Sequence, residues 1–165
     1  MDFTVTQSFA ADPDRVARAY ASPDLYGHMV GLPKLGTPEV LDHRVADDLV
    51  HLQVRYRFVG DLAPAVTAVV DPRRLTWIEH STHDLVTCTV RYHLVPDHYA
   101  DRLQSSGSSS VAPDGTGSRR TVTGRLKVRA LVVGGAVERA IVSGLSEHLV
   151  DEVQVVDRYL ADATR

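Results

Sequence analysis

Four residues combine an ionisable acid or imidazole with apolar company: Glu138, Glu152, His43 and His148. In the C-terminal segment, at about 100° per residue, Ile141, Leu149, Val156 and Tyr159 fall within about 40° of Leu145, which is the stripe of a helix covering a core. Glu138 and Glu152 fall on that stripe too. A carboxylate facing apolar neighbours must be hydrated, paired or protonated. Glu152 therefore either anchors a ligand's hydroxyl or amine or pairs with an arginine of a sheet. Glu138, just after Gly134-Gly135, suits the positive end of a helix. His148 lies about 60° from the stripe centre, and His43 shares a face with Leu41 and Val45. Either imidazole could serve as a base or donor, or sit at the core boundary.

Other chemistries find no support. His80 and His83 are three apart, His93 and His98 five apart, and no H-E-x-x-H sequence occurs, so no metal is expected. The single cysteine, Cys88, excludes a disulfide framework and multi-cysteine clusters. There is no Gly-x-Ser-x-Gly, Walker or dinucleotide sequence, and no cofactor is expected. Eighteen Lys and Arg against twenty-one Asp and Glu argue against a nucleic-acid partner. The lack of a long apolar run or a leader-like start argues against stable membrane insertion and for a cytoplasmic setting.

The elements that must position these residues follow from periodicity. Phe3, Val5, Gln7 and Phe9 alternate as a first strand. Asp12-Pro13 and Ser22-Pro23 each carry an N-cap and a first-turn proline, predicting two short helices with Val16, Ala17, Tyr20 and then Leu25, Tyr26, Met29 turned inward. Residues 39–58 read as a hairpin whose second arm places Val50, Leu52, Val54, Tyr56 and Phe58 on one face. Residues 60–72 carry two prolines and are left unassigned. A further hairpin is predicted from 75–80 and 85–94, with Val86, Cys88, Val90, Tyr92 and Leu94 facing the core. The serine-rich stretch and the Asp114-Gly115-Thr116-Gly117 turn predict a mobile loop at 104–118. Val122, Gly124, Leu126 and Val128 share a face of a last strand, and a long helix follows from about Gly135.

The expected architecture is α+β: a curved seven-stranded antiparallel sheet wrapped around a long C-terminal helix, in a single domain spanning 1–165. One helix about 10–12 Å wide cannot fill a strongly bent sheet, so a cavity is expected between them. Its expected lining is Tyr26, Met29, Leu32, His43, Val54, Tyr56, Trp77, Val90, Tyr92, Ile141, Leu145, Leu149 and Glu152. Trp77 lies in an irregular run that does not decide its side, and the tyrosines equally suit plain core packing.

The chain resembles the helix-grip fold of the START-like (SRPBCC) superfamily, which includes the major birch-pollen allergen and the polyketide cyclases. Within it the chain most resembles an actinobacterial group, the domain of unknown function 2505 family. The resemblance rests on Phe3-Thr4-Val5, the segment 26–33 ending in Leu32-Pro33, Trp77, and Gly134-Gly135-Ala136-Val137-Glu138. It implies a fold and a tendency to hold hydrophobic small molecules, and supplies no reaction from which catalytic residues carry over. Three functions follow as expectations. The first is a carrier or sensor of a lipid-like or polyketide-like molecule. The second is a cyclase, dehydratase or hydrolase using Glu152, His43 or His148. The third is an interaction module, monomeric or homodimeric.

Overall fold

The computed structural model describes residues 1–62, 64–67, 70–129 and 134–163. The first strand, β1 (Asp2–Phe9), is followed by α1 (Pro13–Ala21) and α2 (Pro23–His28). Both helices start as the sequence predicts: Asp12 accepts from the Arg15 amide and Ser22 from the Asp24 amide, each ahead of a proline whose missing N–H would have no partner there. Strands β2 (Glu39–Ala46) and β3 (Leu49–Arg57) form the first hairpin. The unassigned region contains a one-turn helix, α3 (Pro64–Thr67), and a 3₁₀ turn at Pro72–Arg74. Then come β4 (Thr76–Asp84), β5 (Thr89–Pro96), β6 (Leu103–Asp114), β7 (Gly117–Val128) and α4 (Gly134–Asp162). The seven strands form one antiparallel sheet in the order β1-β7-β6-β5-β4-β3-β2. The expected fold class is the observed one.

Three local readings need correction. The segment 104–118, expected as a loop, is β6 with its turn into β7, and β6 is paired along its length with β7 and with β5 over residues 105–110. Serines need no side-chain interaction to be held this way, because neighbouring strands on both sides satisfy the backbone. Val86 and Cys88, expected in the core, lie in the turn between β4 and β5: Val86 is 71% exposed, while Cys88, at φ 52°, is partly buried and packs against the core. The Asp84 carboxylate accepts from the Val86 and Thr87 amides at 3.0 Å each, which closes the chain into a turn before the apolar alternation can resume. His43, expected inward, is exposed. It opposes Leu52 in the register, but β2 is a sheet edge bent by a bulge between Val40 and Asp42, while α4 packs over β1 and β7 at the other side.

Two glycines shape the inner surface where β6 meets β7. Gly107 and Gly124 face each other in the register. A Cβ on Gly124 would fall 2.5 Å from the Phe3 ring and 2.6 Å from the Tyr92 hydroxyl, and one on Gly107 would strike the Thr123 carbonyl at 2.1 Å. Their bare backbone seats the Tyr92 hydroxyl, which donates to the Thr123 carbonyl at 3.2 Å.

Candidate functional site

Between the concave face of the sheet and α4 lies a cavity of about 150 Å³. An apolar space of that size holds a benzene-sized molecule without rearrangement, and a drug-sized ligand needs at least about 300 Å³. Ten of the thirteen expected lining residues border it: Tyr26, Met29, Tyr56, Trp77, Val90, Tyr92, Ile141, Leu145, Leu149 and Glu152. His148 borders it as well. Leu32 and Val54 belong to the packed core behind it, and His43 is on the exposed edge strand. Trp77 faces inward and stacks on Tyr56, its partner across the strands, with ring centres 6.0 Å apart and planes 19° from parallel. A smaller apolar space of about 60 Å³, lined by Leu62, Val66, Tyr99 and Val137 among others, lies beyond Ile141, which borders both.

The polar lining falls into two groups. The first is closed. Glu152 is 5% exposed, and its Oε1 accepts from the Tyr20 hydroxyl and lies 3.5 Å from Arg120 Nη1. Arg120 sits with its guanidinium 3.9 Å above the Tyr20 ring and donates to Gln7 Oε1 at 2.9 Å. Gln7 in turn donates to the Leu149 carbonyl at 2.5 Å. His148 stands between the Pro33 carbonyl, 3.3 Å from Nδ1, and Glu152 Oε2, 3.5 Å from Nε2. The Tyr26 hydroxyl donates to the Tyr20 carbonyl at 3.0 Å. Burial raises the Tyr20 phenol far above its ordinary range, Glu152 adds to the rise, and Arg120 opposes it. Burial pulls the Arg120 guanidinium down, but Tyr20 and Glu152 outweigh it and the group ends above its usual value. Of the two readings open for Glu152, the structure shows the pairing with a sheet arginine.

The second group is open. The inner face of β4 presents Trp77, Glu79, Ser81 and His83 at every second position. Glu79 is half-buried against the cavity, and its carboxylate makes no hydrogen bond or ion pair with a described residue. Burial pushes its carboxyl up to about 7, Arg120 pulls the other way, and Glu152 reinforces the rise. His83 is 4% exposed; its Nε2 shares a 3.0 Å hydrogen bond with Ser81 Oγ, while Nδ1 has no partner among the described residues. Burial, aided by Arg120, pushes its imidazole down to about 4.

Four of these polar residues, Tyr20, Glu79, His83 and Arg120, were not among the expected site residues. The signals were present. Counting back by two from Val122 along β7 reaches Arg120 on the inner face, and carrying the Trp77 alternation through to Asp84 puts Glu79 and His83 there. Glu138 does something the sequence did not suggest: its carboxylate accepts from the Val128 amide at 2.8 Å, tying the start of α4 to the end of β7, and that bond holds it below the usual carboxylate range.

The outer face of the sheet has a wider groove of about 480 Å³ with polar and charged walls, where Arg44 meets Asp42 at 2.7 Å and His80 stacks on His93 at 4.9 Å. Among the described residues no group of three or more His, Cys, Asp or Glu is placed to hold a metal ion, and no helix is long and apolar enough to cross a membrane.

Comparison with known proteins places this geometry. The chain is similar in structure to TTHA0849 from Thermus thermophilus, with a TM-score of 0.69 at 16% identity over 100% of both chains. It is similar to the Zhui aromatase/cyclase from Streptomyces sp. R1128, with a TM-score of 0.68 at 16% identity over 100% of this chain and 96% of that one. Norcoclaurine synthase from Thalictrum flavum superposes with a TM-score of 0.63 at 16% identity, over 98% of this chain and 87% of that one. These likenesses show a shared helix-grip fold. No curated protein matches the sequence. A family model described as Protein of unknown function (DUF2505) matches residues 4–160, and the chain belongs to that family.

Proposed function

We propose that this member of the family binds a hydrophobic small molecule between sheet and helix, as a carrier or sensor. The observation that carries the reading is the cavity itself: a space bordered by Trp77, Tyr56, Tyr26, Leu145 and Leu149, in a protein large enough to close its core around side chains alone. Affinity then comes mainly from apolar burial, about 25 cal/mol per Å² removed from water. At about 150 Å³ the space suits one ring. A longer lipid-like or polyketide-like ligand fits if Ile141 turns aside and joins the smaller space to the larger.

The folds of an aromatase/cyclase and of norcoclaurine synthase raise an enzymatic alternative. Its expected acid–base residues do not favour it: Glu152 and His148 are bound to each other and to Tyr20, Arg120 and Pro33, and His43 is outside the cavity. The reading extends to a cytoplasmic protein acting as a monomer or homodimer, with no nucleic-acid partner and no stable insertion in a membrane.

The test uses Trp77, the protein's sole tryptophan, as a reporter on the cavity wall. Titration with toluene changes Trp77 emission saturably, and native mass spectrometry of freshly purified protein shows a retained small molecule. An emission spectrum indifferent to toluene, together with a bare mass, refutes the reading.

A further inference from the structure

Of the two carboxyl groups on the cavity wall, Glu152 is held by Tyr20 and Arg120, and Glu79 is held by nothing described. The charges around Glu79 are otherwise settled. Arg120 and Glu152 neutralise each other, Lys34 reaches Glu147 at 3.8 Å, and His83 is uncharged near neutral pH. An anionic ligand has no free cation to meet, since the Arg120 guanidinium is engaged by Gln7, Glu152 and the Tyr20 ring. A plain hydrocarbon would leave the Glu79 carboxyl desolvated and unpaired, which is unfavourable.

A cation meets complementary surfaces on the β4 side of the cavity. Trp77 lies two residues before Glu79 on the same face of β4, Tyr56 stacks on Trp77, and Tyr26 and Tyr92 complete an aromatic wall. Ring faces are negative in potential and attract ammonium groups, more strongly where water is excluded.

We infer that the cavity takes a small hydrophobic amine: the Glu79 carboxylate receives the ligand's ammonium beside the aromatic wall of Trp77, Tyr56, Tyr26 and Tyr92, and the apolar body lies against Leu145 and Leu149. The inference rests on reading the cavity as a ligand site. It also fixes a pH dependence. The titratable and charged groups facing Glu79 are Tyr20 from α1, Arg120 from β7, Glu152 and His148 from α4, Tyr26 from α2, Tyr56 from β3 and Tyr92 from β5. His83 lies on Glu79's own strand and Lys34 borders the same space. Burial raises all four tyrosines, so the phenols stay neutral through the physiological range. The carboxyl ionises through about 7, and an alkylammonium loses its proton only near about 10. Amine binding therefore strengthens as pH rises from about 6 to about 8.5.

The experiment titrates benzylamine and toluene into wild type and Glu79→Gln, followed by calorimetry and Trp77 emission. Benzylamine is expected to bind wild type about tenfold more tightly at pH 8.5 than at pH 6, and about tenfold more tightly than it binds Glu79→Gln at pH 8.5. Toluene, which cannot pair with the carboxylate, is expected to bind no more tightly at pH 8.5 than at pH 6, and no more tightly to wild type than to Glu79→Gln. Toluene bound everywhere with benzylamine indifferent to both pH and Glu79→Gln overturns the amine assignment and leaves the ligand site standing. Failure of both compounds to bind overturns the cavity reading and the amine assignment together. Should Glu79→Gln not fold, the wild-type pH comparison of the two compounds decides the matter alone.

Discussion

The two polar walls of the cavity are built on opposite logic. On one, Gln7, Tyr20, Arg120, His148 and Glu152 form a chain in which every charge is met within the protein, joining β1, α1, β7 and α4. On the other, Glu79 and the His83 Nδ1 atom project from β4 with no partner among the described residues. The first wall clamps helix to sheet. The second keeps polar groups desolvated at a cost to stability, which a purely structural strand would avoid by carrying apolar residues. The difference separates residues that hold the cavity open from residues that can select what enters it.

Breaking the closed wall has the largest expected effect. Arg120→Ala leaves Glu152 buried without its cation and is expected to lower stability by about 3–5 kcal/mol in urea unfolding. A loss below about 1 kcal/mol would show that the chain is not a clamp. The open wall responds in the other direction. Because the Glu79 carboxyl titrates higher folded than unfolded, the folded state holds the extra proton between about 4.5 and about 7, and stability falls as pH rises across that window. The fall is up to about 3 kcal/mol, and Glu79→Gln is expected to abolish it and to be more stable than wild type at pH 8. A pH-stability curve identical in the two proteins contradicts the open wall. Ile141→Ala sharpens the comparison by changing volume without charge. It is expected to cost about 2 kcal/mol and to shift preference from toluene toward longer alkylbenzenes in competition titrations. Smallest of all, His43→Ala on the exposed edge strand is expected to leave both melting and toluene affinity unchanged.

The sequence made the fold legible because its periods are clean. The alternation around Tyr56 and Tyr92 and the stripe through Ile141, Leu145, Leu149 and Glu152 each assign a face correctly. What stayed hidden depends on partners remote in the chain. The serines of β6 carry no strand signal, and only pairing with β5 and β7 makes them one. Arg120 is found on the inner face only when the inward register of β7 is followed upstream toward the turn. His43 has the right local pattern and the wrong address, because coverage by α4 depends on which strands the helix crosses. Glu152 was open between two roles until Arg120 and Tyr20 were placed beside it.

The pairing of β1 with β7 brings Asp2 to Arg125 across 123 residues, and Arg125 donates to Asp2 at 2.7 Å. Contacts so distant along the chain are slow to form. During synthesis the growing polypeptide carries a half-built sheet whose pocket has no roof and no closing side until β7 and α4 have left the ribosome. A ligand can therefore be captured only once both have emerged, and its presence rewards completed molecules over truncated ones by mass action.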